Sequence, residues 1–88
     1  MTQPAVTVYT SDWCPYCRRA KDLLTRKNVS FSEINVEDEP KAREEMVARS
    51  NRRTVPQIFI GDRHVGGCDD LHELEAAGEL EGMLADQP

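Results

Sequence analysis

Two cysteines separated by two residues, Cys14 and Cys17, are the first feature of this 88-residue sequence that could do chemistry. They stand in the segment SDWCPYCRR, with Pro15 and Tyr16 between the thiols. This spacing is found in redox-active dithiols and also as one half of a structural zinc site. A bridge between the two thiols would close so short a loop that it would add little stability. The surrounding sequence must therefore distinguish redox chemistry from metal binding.

A strand before the pair and a helix after it favour redox chemistry. Residues 5–10 (AVTVYT) are rich in β-branched and aromatic side chains, which predicts a short strand. Apolar side chains then recur at helical spacing up to about Lys27, and Asn28 ends that helix. These apolar positions are Ala20, Leu23 and Leu24. Cys14 would lie at the start of the helix, where backbone N–H groups lack intrahelical partners and favour an anion such as a thiolate.

The magnitudes predict that Cys14 is only partly activated by the helix alone. A thiol with an ordinary pKa is only a few per cent thiolate at neutral pH, and the helix dipole changes that pKa by about one unit. Stronger activation needs N–H···S hydrogen bonds, for which Tyr16 and Cys17 are candidates, with Arg18 as a nearby cation. We expect Cys14 to be the nucleophile and Cys17, one turn further in, to resolve the mixed disulfide.

Zinc binding is the alternative, because His64 and Cys68 offer a second half-site with H-x₃-C spacing. Pro15 disfavours it, since zinc knuckles usually need a turn with unblocked backbone N–H groups where this proline opens a helix. The chain also has enough apolar periodicity to fold without a metal. We therefore expect no metal site.

The remaining elements predict a mixed sheet flanked by helices. In chain order they are a strand over Phe31–Val36, a helix opened by Glu39-Pro40 and reaching about Ser50, a strand over Gln57–Ile60, a turn at Gly61-Asp62, a strand over Arg63–Val65, a helix capped by Asp69 or Asp70 with Leu71, Leu74 and Ala77 facing inward, and a last apolar turn with Leu80, Met83 and Leu84. A strand–helix–strand unit requires parallel strands, and the closing hairpin adds antiparallel ones. The order β-α-β-α-β-β-α predicts a thioredoxin-like α/β fold with a four-stranded sheet, in one domain over residues 1–88.

Charge and hydropathy exclude several classes of partner. The 16 acidic residues outnumber the 11 lysines and arginines, which gives a net charge of −5 and argues against nucleic acid as the main partner. The N-terminal MTQPAVTVYT lacks the basic and apolar regions of a signal peptide, and no segment is apolar enough to span a membrane. We expect a cytoplasmic monomer.

Three segments together resemble the glutaredoxins, in particular bacterial dithiol glutaredoxins of the glutaredoxin 3 type. They are CPYC at 14–17, TVPQIFI at 54–60 and GGCDDL at 66–71. The resemblance spans essentially the whole chain, and the three motifs in this order are highly specific. It implies reduction of protein–glutathione mixed disulfides and protein disulfides, with glutathione as co-substrate, no bound cofactor, and regeneration by glutathione, glutathione reductase and NADPH.

The resemblance also implies individual residue roles. The nucleophile falls on Cys14 and the resolving thiol on Cys17. The positions implied to bind glutathione are Tyr16, Arg52, Thr54, Val55, Pro56, Gly67, Cys68 and Asp69. Within this set Arg52 would meet the glycine carboxylate, Val55 would pair with the cysteinyl backbone, and Gly67, Cys68 and Asp69 would hold the γ-glutamyl end. The Val55–Pro56 bond is expected to be cis.

One position departs from the family pattern. Many glutaredoxins have a lysine three residues before the nucleophile, where this chain has Ser11, followed by Asp12. Arg18 or Arg53 could supply the missing positive charge. Two alternatives to a glutathione-dependent oxidoreductase remain. One is a glutaredoxin-like redoxin reduced by thioredoxin reductase, and the other is a metal- or iron–sulfur-binding module.

The other chemically capable side chains are expected to be structural. Cys68 is predicted to be a buried or half-buried neutral thiol whose sulfur is not needed. His64 and His72 are expected to be ordinary residues of a hairpin and a helix surface. Trp13 and Tyr9 are expected to pack around the site without a catalytic role.

Overall fold

The computed structural model describes residues 5–84; residues 1–4 and 85–88 of the predicted domain lie outside the described part. The elements in chain order are β1 (Val6–Thr10), α1 (Pro15–Arg26), β2 (Ser32–Asn35), α2 (Pro40–Ser50), β3 (Gln57–Ile60), β4 (Arg63–Gly66), α3 (Cys68–Ala76) and α4 (Leu80–Leu84). The predicted order is confirmed, and the last apolar turn forms a short helix of its own. Of these helices in residues 5–84, none is long and apolar enough to cross a membrane.

The sheet is mixed, as predicted, with strand order β2-β1-β3-β4. β1 runs parallel to β2 and antiparallel to β3, and β4 pairs antiparallel with β3. β1 is therefore central, and its C-terminal end leads directly into the loop that carries Cys14. The hairpin turn between β3 and β4 contains Gly61 at a φ of +61°, a conformation that glycine adopts without steric cost.

Two apolar clusters hold helices on the two faces of the sheet. On one face, Ala20, Leu23 and Leu24 of α1 pack with Leu71 of α3 and the strand residues around Val8. On the other face α2 is the cover, and the cluster there comprises Tyr9, Val36, Ala42, Met46 and Phe59. Each fully buried side chain of this size contributes roughly 1.5–3 kcal/mol of transfer free energy. The three predicted apolar positions of α1 are thus confirmed as core.

The start of α3 differs from the prediction. The helix begins at Cys68 with Gly67 as its N-cap, so neither Asp69 nor Asp70 is the cap. Asp70 lies instead at the third helical position, where its carboxylate accepts a hydrogen bond from the Gly67 N–H group. A side chain at that position can satisfy the amide of the N-cap residue from inside the helix, as the acidic half of a capping box does. Ala77 was predicted to face the core, but it is exposed.

Candidate active site

Cys14 and Cys17 form a disulfide at the start of α1, with their Cα atoms 5.2 Å apart. Cys14 is the N-cap of the helix and is half-buried, whereas Cys17 lies inside the first turn and is buried. The N–H group of Cys17 donates a hydrogen bond to Cys14 Sγ at 3.1 Å. This is one of the two amides predicted to support a thiolate. The geometry therefore gives the outer sulfur both access to solvent and a hydrogen-bond donor from the helix start.

The loop that precedes β3 faces the disulfide. The Val55 carbonyl oxygen lies 3.9 Å from Cys14 Sγ, and the Val55–Pro56 peptide bond is cis, as the resemblance predicted. The side chain of Gln57 braces this loop: its Nε2 donates to the carbonyl and hydroxyl oxygens of Thr54 at 3.0 and 3.2 Å. Gln57 is fully buried, and its Oε1 also bonds to His64 Nε2 at 2.7 Å. Burial lowers the pKa of His64, and the positive charge of Arg52 adds to that effect.

A groove of about 210 Å³ adjoins the disulfide and collects the residues that the resemblance assigned to glutathione. Its lining comprises Tyr16, Arg52, Thr54, Val55, Pro56, Gly67, Cys68, Asp69 and Asp70. All eight positions implied for glutathione binding are therefore brought together, although they come from three separate segments. Asp70 is the one lining residue that the sequence reasoning assigned to a different role.

Asp70 joins two parts of this groove. Its Oδ2 accepts from the Gly67 amide at 2.9 Å and from Arg52 Nη1 at 3.0 Å. These two donors, first the Gly67 amide and then Arg52, hold the pKa of the Asp70 carboxyl below its usual value. The Gly67 amide is thereby already bonded. The next amides, those of Cys68 and Asp69, belong to the first turn of α3, where no intrahelical acceptor exists.

Cys68 is buried, as predicted, and the surroundings of its sulfur do not favour a redox role. Its Sγ lies 3.4 Å from His72 Nδ1, which is also 2.9 Å from the Cys68 carbonyl oxygen. Burial raises the pKa of the Cys68 thiol, and the nearby charge of Asp69 raises it further. The thiol is thus held in its neutral form. His72 is half-buried beside it and is not a plain surface residue.

Trp13 and Tyr9 were both expected to pack around the site; Tyr9 is buried in the core cluster under α2, and Trp13 is not buried. Tyr9 is fully buried under α2, where its hydroxyl donates to Glu45 Oε1 at 2.6 Å and accepts from Arg49 Nη1 at 3.2 Å. Trp13 does not pack around the site: its side chain is 98% exposed. Its backbone has a φ of +56°, in the left-handed region.

The position of the missing lysine is polar but carries no cation. Ser11 Oγ lies 3.4 Å from the Asp12 carbonyl oxygen, and the Asp12 carboxylate accepts from Asn35 Nδ2 at 2.9 Å. Arg18 and Arg53, which could have compensated, are both exposed. Arg53 lies on a different groove, beside Val36 and Pro40 of the other sheet face.

The described part of the chain contains no cluster of possible metal ligands. Over residues 5–84, no three His, Cys, Asp or Glu side chains lie together as a metal site would require. The second half-site considered above, His64 with Cys68, is therefore not assembled against the cysteine pair. His64 bonds instead to Gln57, and Cys68 lies against His72.

The protein has a thioredoxin-like sheet and a Cys-Pro-Tyr-Cys disulfide at the N-terminus of its first helix, and a loop with a cis-proline faces that disulfide. This is the arrangement of a thiol–disulfide oxidoreductase. The family model for glutaredoxin matches residues 6–65. The chain is 55% identical over 82 residues to a glutaredoxin of Pseudomonas aeruginosa, covering 93% of this chain and 98% of that protein. It is 54% identical over 79 residues to glutaredoxin 3 of Escherichia coli strain K12, covering 90% of this chain and 95% of that protein.

Solved structures agree with these relatives. A glutaredoxin from Brucella melitensis superposes with a TM-score of 0.84 at 52% identity, covering 96% of this chain and 91% of that one. A buckwheat glutaredoxin–glutathione complex has a TM-score of 0.84 at 32% identity, covering 93% of this chain and 76% of that one. The chain therefore belongs to the glutaredoxin family, whose members use glutathione as substrate.

Proposed function

We propose that this protein reduces protein–glutathione mixed disulfides and protein disulfides with glutathione as its co-substrate, holding no bound cofactor. The observation that carries the proposal is the groove beside Cys14, which gathers all eight residues that the family resemblance implied. The Val55 carbonyl lies 3.9 Å from Cys14 Sγ, so a tripeptide paired with that backbone would present its own sulfur to the nucleophile.

The two ends of the groove suit the two carboxylates of glutathione. Arg52 offers a guanidinium for the glycine carboxylate, and charge-assisted hydrogen bonds of this kind are among the stronger ones. At the other end, the amides of Cys68 and Asp69 open a helix and can receive the γ-glutamyl carboxylate. The exposed carboxylate of Asp69 can accept from the γ-glutamyl amino group. Tyr16, Thr54 and Pro56 complete the walls.

The chemistry requires two successive exchanges at Cys14. Its thiolate attacks one sulfur of the substrate disulfide, that S–S bond breaks, and the other sulfur leaves as a thiolate that takes up a proton. A second thiolate, from glutathione or from Cys17, then attacks the Cys14 sulfur and releases the bound substrate half. The Cys17 route leaves the Cys14–Cys17 disulfide, so two electrons have passed from the dithiol to the substrate.

Re-reduction of that disulfide by glutathione, followed by glutathione reductase and NADPH, completes the proposed cycle. We place the protein in the cytoplasm as part of the same proposal, because thiols are kept reduced there. It would act as a monomer without nucleic-acid or membrane partners, and size-exclusion chromatography tests the oligomeric state.

A coupled assay on a small glutathione mixed disulfide tests the proposed function. NADPH consumption should be supported by glutathione with glutathione reductase and not by thioredoxin reductase. Cys14→Ser should abolish all activity, whereas Cys17→Ser should keep deglutathionylation and lose the reduction of protein disulfides. Turnover with thioredoxin reductase alone, or a metal bound across the cysteine pair after anaerobic purification, would contradict the proposal.

Two neighbouring arginines provide a matched test of the glutathione groove. Arg52 lines this groove, whereas Arg53 lies on the other sheet face. Arg52→Ala should raise the KM for glutathione by about three- to tenfold, the range expected for one partly exposed charge-assisted contact. Arg53→Ala removes the same charge and should leave that KM within about twofold. Equal effects would show that general charge, and no specific contact, attracts glutathione.

A further inference from the structure

Two large apolar side chains among residues 5–84 are exposed, and both lie within two residues of Cys14. Trp13 is 98% exposed and Tyr16 is 56% exposed. Tyr16 lines the groove proposed for glutathione, but Trp13 is not part of that lining. The function proposed above therefore leaves the indole without a role.

Hydrogen bonds of Asp12 join the loop that carries Trp13 to the end of β2 and the loop after it. Its φ of +56° lies in the left-handed region, which residues other than glycine adopt at an energetic cost. On its N-terminal side, the Asp12 carboxylate accepts from Asn35 Nδ2 at 2.9 Å, and the Asp12 amide donates to the carboxylate of Glu37. Asn35 Oδ1 accepts in turn from the Glu37 amide at 2.8 Å. These bonds anchor the residue before Trp13, whereas the indole itself gains no packing.

We propose that Trp13 is a docking residue for protein substrates, which covers an apolar side chain next to the substrate's disulfide-bonded cysteine. The inference rests on the proposed role of Cys14 as nucleophile. When the new S–S bond forms, the substrate cysteine is covalently joined to Cys14. The residues flanking that cysteine must then pass over the residues flanking Cys14, of which Trp13 is 98% exposed.

The surroundings of the indole specify the chemistry of the occupant. Tryptophan is enriched among residues that dominate protein interfaces, because one rigid ring buries a large area. Asp12, Glu37 and Asp38 form an exposed acidic rim on the same pair of loops, which disfavours an acidic segment. The fitting occupant is a neutral or basic polypeptide with an aliphatic or aromatic residue beside its cysteine. Glutathione, confined to its groove, would leave the indole uncovered.

The chain offers a direct readout, since Trp13 is its only tryptophan and it has three cysteines. Replacing Cys17 and Cys68 by serine leaves Cys14 as the single thiol. Two short peptides of equal length would be supplied as mixed disulfides with thionitrobenzoate, one with leucine on both sides of its cysteine and one with glycine and serine. The Cys14 thiolate attacks the peptide sulfur, the S–S bond to thionitrobenzoate breaks, and the coloured thiolate leaves, so the reaction balances without another oxidant.

Acrylamide quenching of Trp13 fluorescence in the two adducts tests the docking directly. The quenching constant should fall by about twofold or more in the leucine adduct relative to the glycine–serine adduct, because a docked side chain excludes the quencher. Equal quenching in the two adducts would overturn the inference while leaving the role of Cys14 intact. Failure to form either adduct would overturn both.

Variants at Trp13 provide the second measurement. The equilibrium for displacing each peptide from Cys14 by reduced glutathione is measured, and the ratio between the two peptides is compared. Trp13→Ala should lower the preference for the leucine peptide by about tenfold, a change of about 1.4 kcal/mol. Trp13→Phe should restore most of that preference. An equal change for both peptides would mean that Trp13 only positions Cys14, which contradicts docking. If Trp13→Ala does not fold, the quenching of the unsubstituted Trp13 decides the question alone.

Discussion

Asp70→Asn is the substitution that best tests how the groove is held together. The Asp70 carboxylate binds the Gly67 amide and the Arg52 guanidinium with the same oxygen, so it connects the two proposed carboxylate-binding ends. Asparagine has nearly the same shape and keeps one acceptor oxygen, but it removes the negative charge. The substitution therefore separates the charge of Asp70 from its volume.

The expected loss of stability is about 1 kcal/mol. A negative charge in the first turn of a helix contributes roughly 0.3–1 kcal/mol. The side chains of Arg52 and Asp70 are 49% and 39% exposed, so solvent screening limits their ion pair to the lower part of the range of about 0–1 kcal/mol. Asp70→Ala also loses the hydrogen bond to the Gly67 amide, and its cost should reach about 2 kcal/mol.

The effect should depend on pH in a defined direction. The pKa of Asp70 is lowered in the folded protein by the Gly67 amide and then by Arg52. A carboxyl with a lowered pKa contributes stability above its unfolded pKa of about 4, and this contribution is lost as the pH falls through the folded value. The difference between the natural protein and Asp70→Asn should thus be full at neutral pH and should shrink in acid.

Urea unfolding measured from neutral to acid pH is the assay, with Asp69→Asn as the matched control. Asp69 also lies in the first turn of α3, but its side chain is exposed. Asp69→Asn should cost no more than about half as much, because it loses only a charge near the helix start. Equal losses at both positions, or a loss at Asp70 that stays constant in acid, would refute the reasoning.

Three further predictions concern Gly66, Cys68 and Ser11. Gly66→Ala should destabilise the fold by about 2 kcal/mol or more in urea titrations, because φ is +121° and a Cβ would lie 2.7 Å from Asp70 Cγ; an unchanged midpoint would contradict this. With the dithiol oxidised, Cys68 should react with iodoacetamide more slowly than free cysteine, since burial raises its pKa, and urea should remove the protection. Ser11→Lys should lower the Cys14 pKa and raise turnover, and thiolate absorbance that titrates at the same pH would refute that.

The elements that the sequence predicted well are those in which local pattern and packing agree. Ala20, Leu23 and Leu24 repeat at helical spacing and all three are buried in the core. The strand Gln57–Ile60 was predicted with its observed bounds, because a glycine turn limits it on one side and a proline on the other. Its pairing with β4 across the turn at Gly61-Asp62 could be predicted without any long-range contact.

The errors occur where two local signals compete. In the segment GGCDDL, either aspartate can cap a helix, and a glycine N-cap leaves no side-chain signal of its own. The structure starts α3 at Cys68, and Asp70 bonds the Gly67 amide from inside the helix. The role of Gln57 was also missed, although a glutamine in the otherwise apolar strand QIFI was a usable signal. A buried amide must find hydrogen-bond partners, and here they are Thr54 and His64.

The exposure of Trp13 could not be predicted from its neighbours in sequence at all. The preceding residue, Asp12, is bonded to Asn35 and Glu37, which lie more than twenty residues away. The same holds for the groove, two of whose walls are joined by the long-range contact of Arg52 with Asp70. A motif can specify which atoms react, because the chemistry requires those residue types at that spacing. Which substrate reaches those atoms depends on loops that only the folded chain brings together, and that is why the dithiol was predictable whereas the docking residue was not.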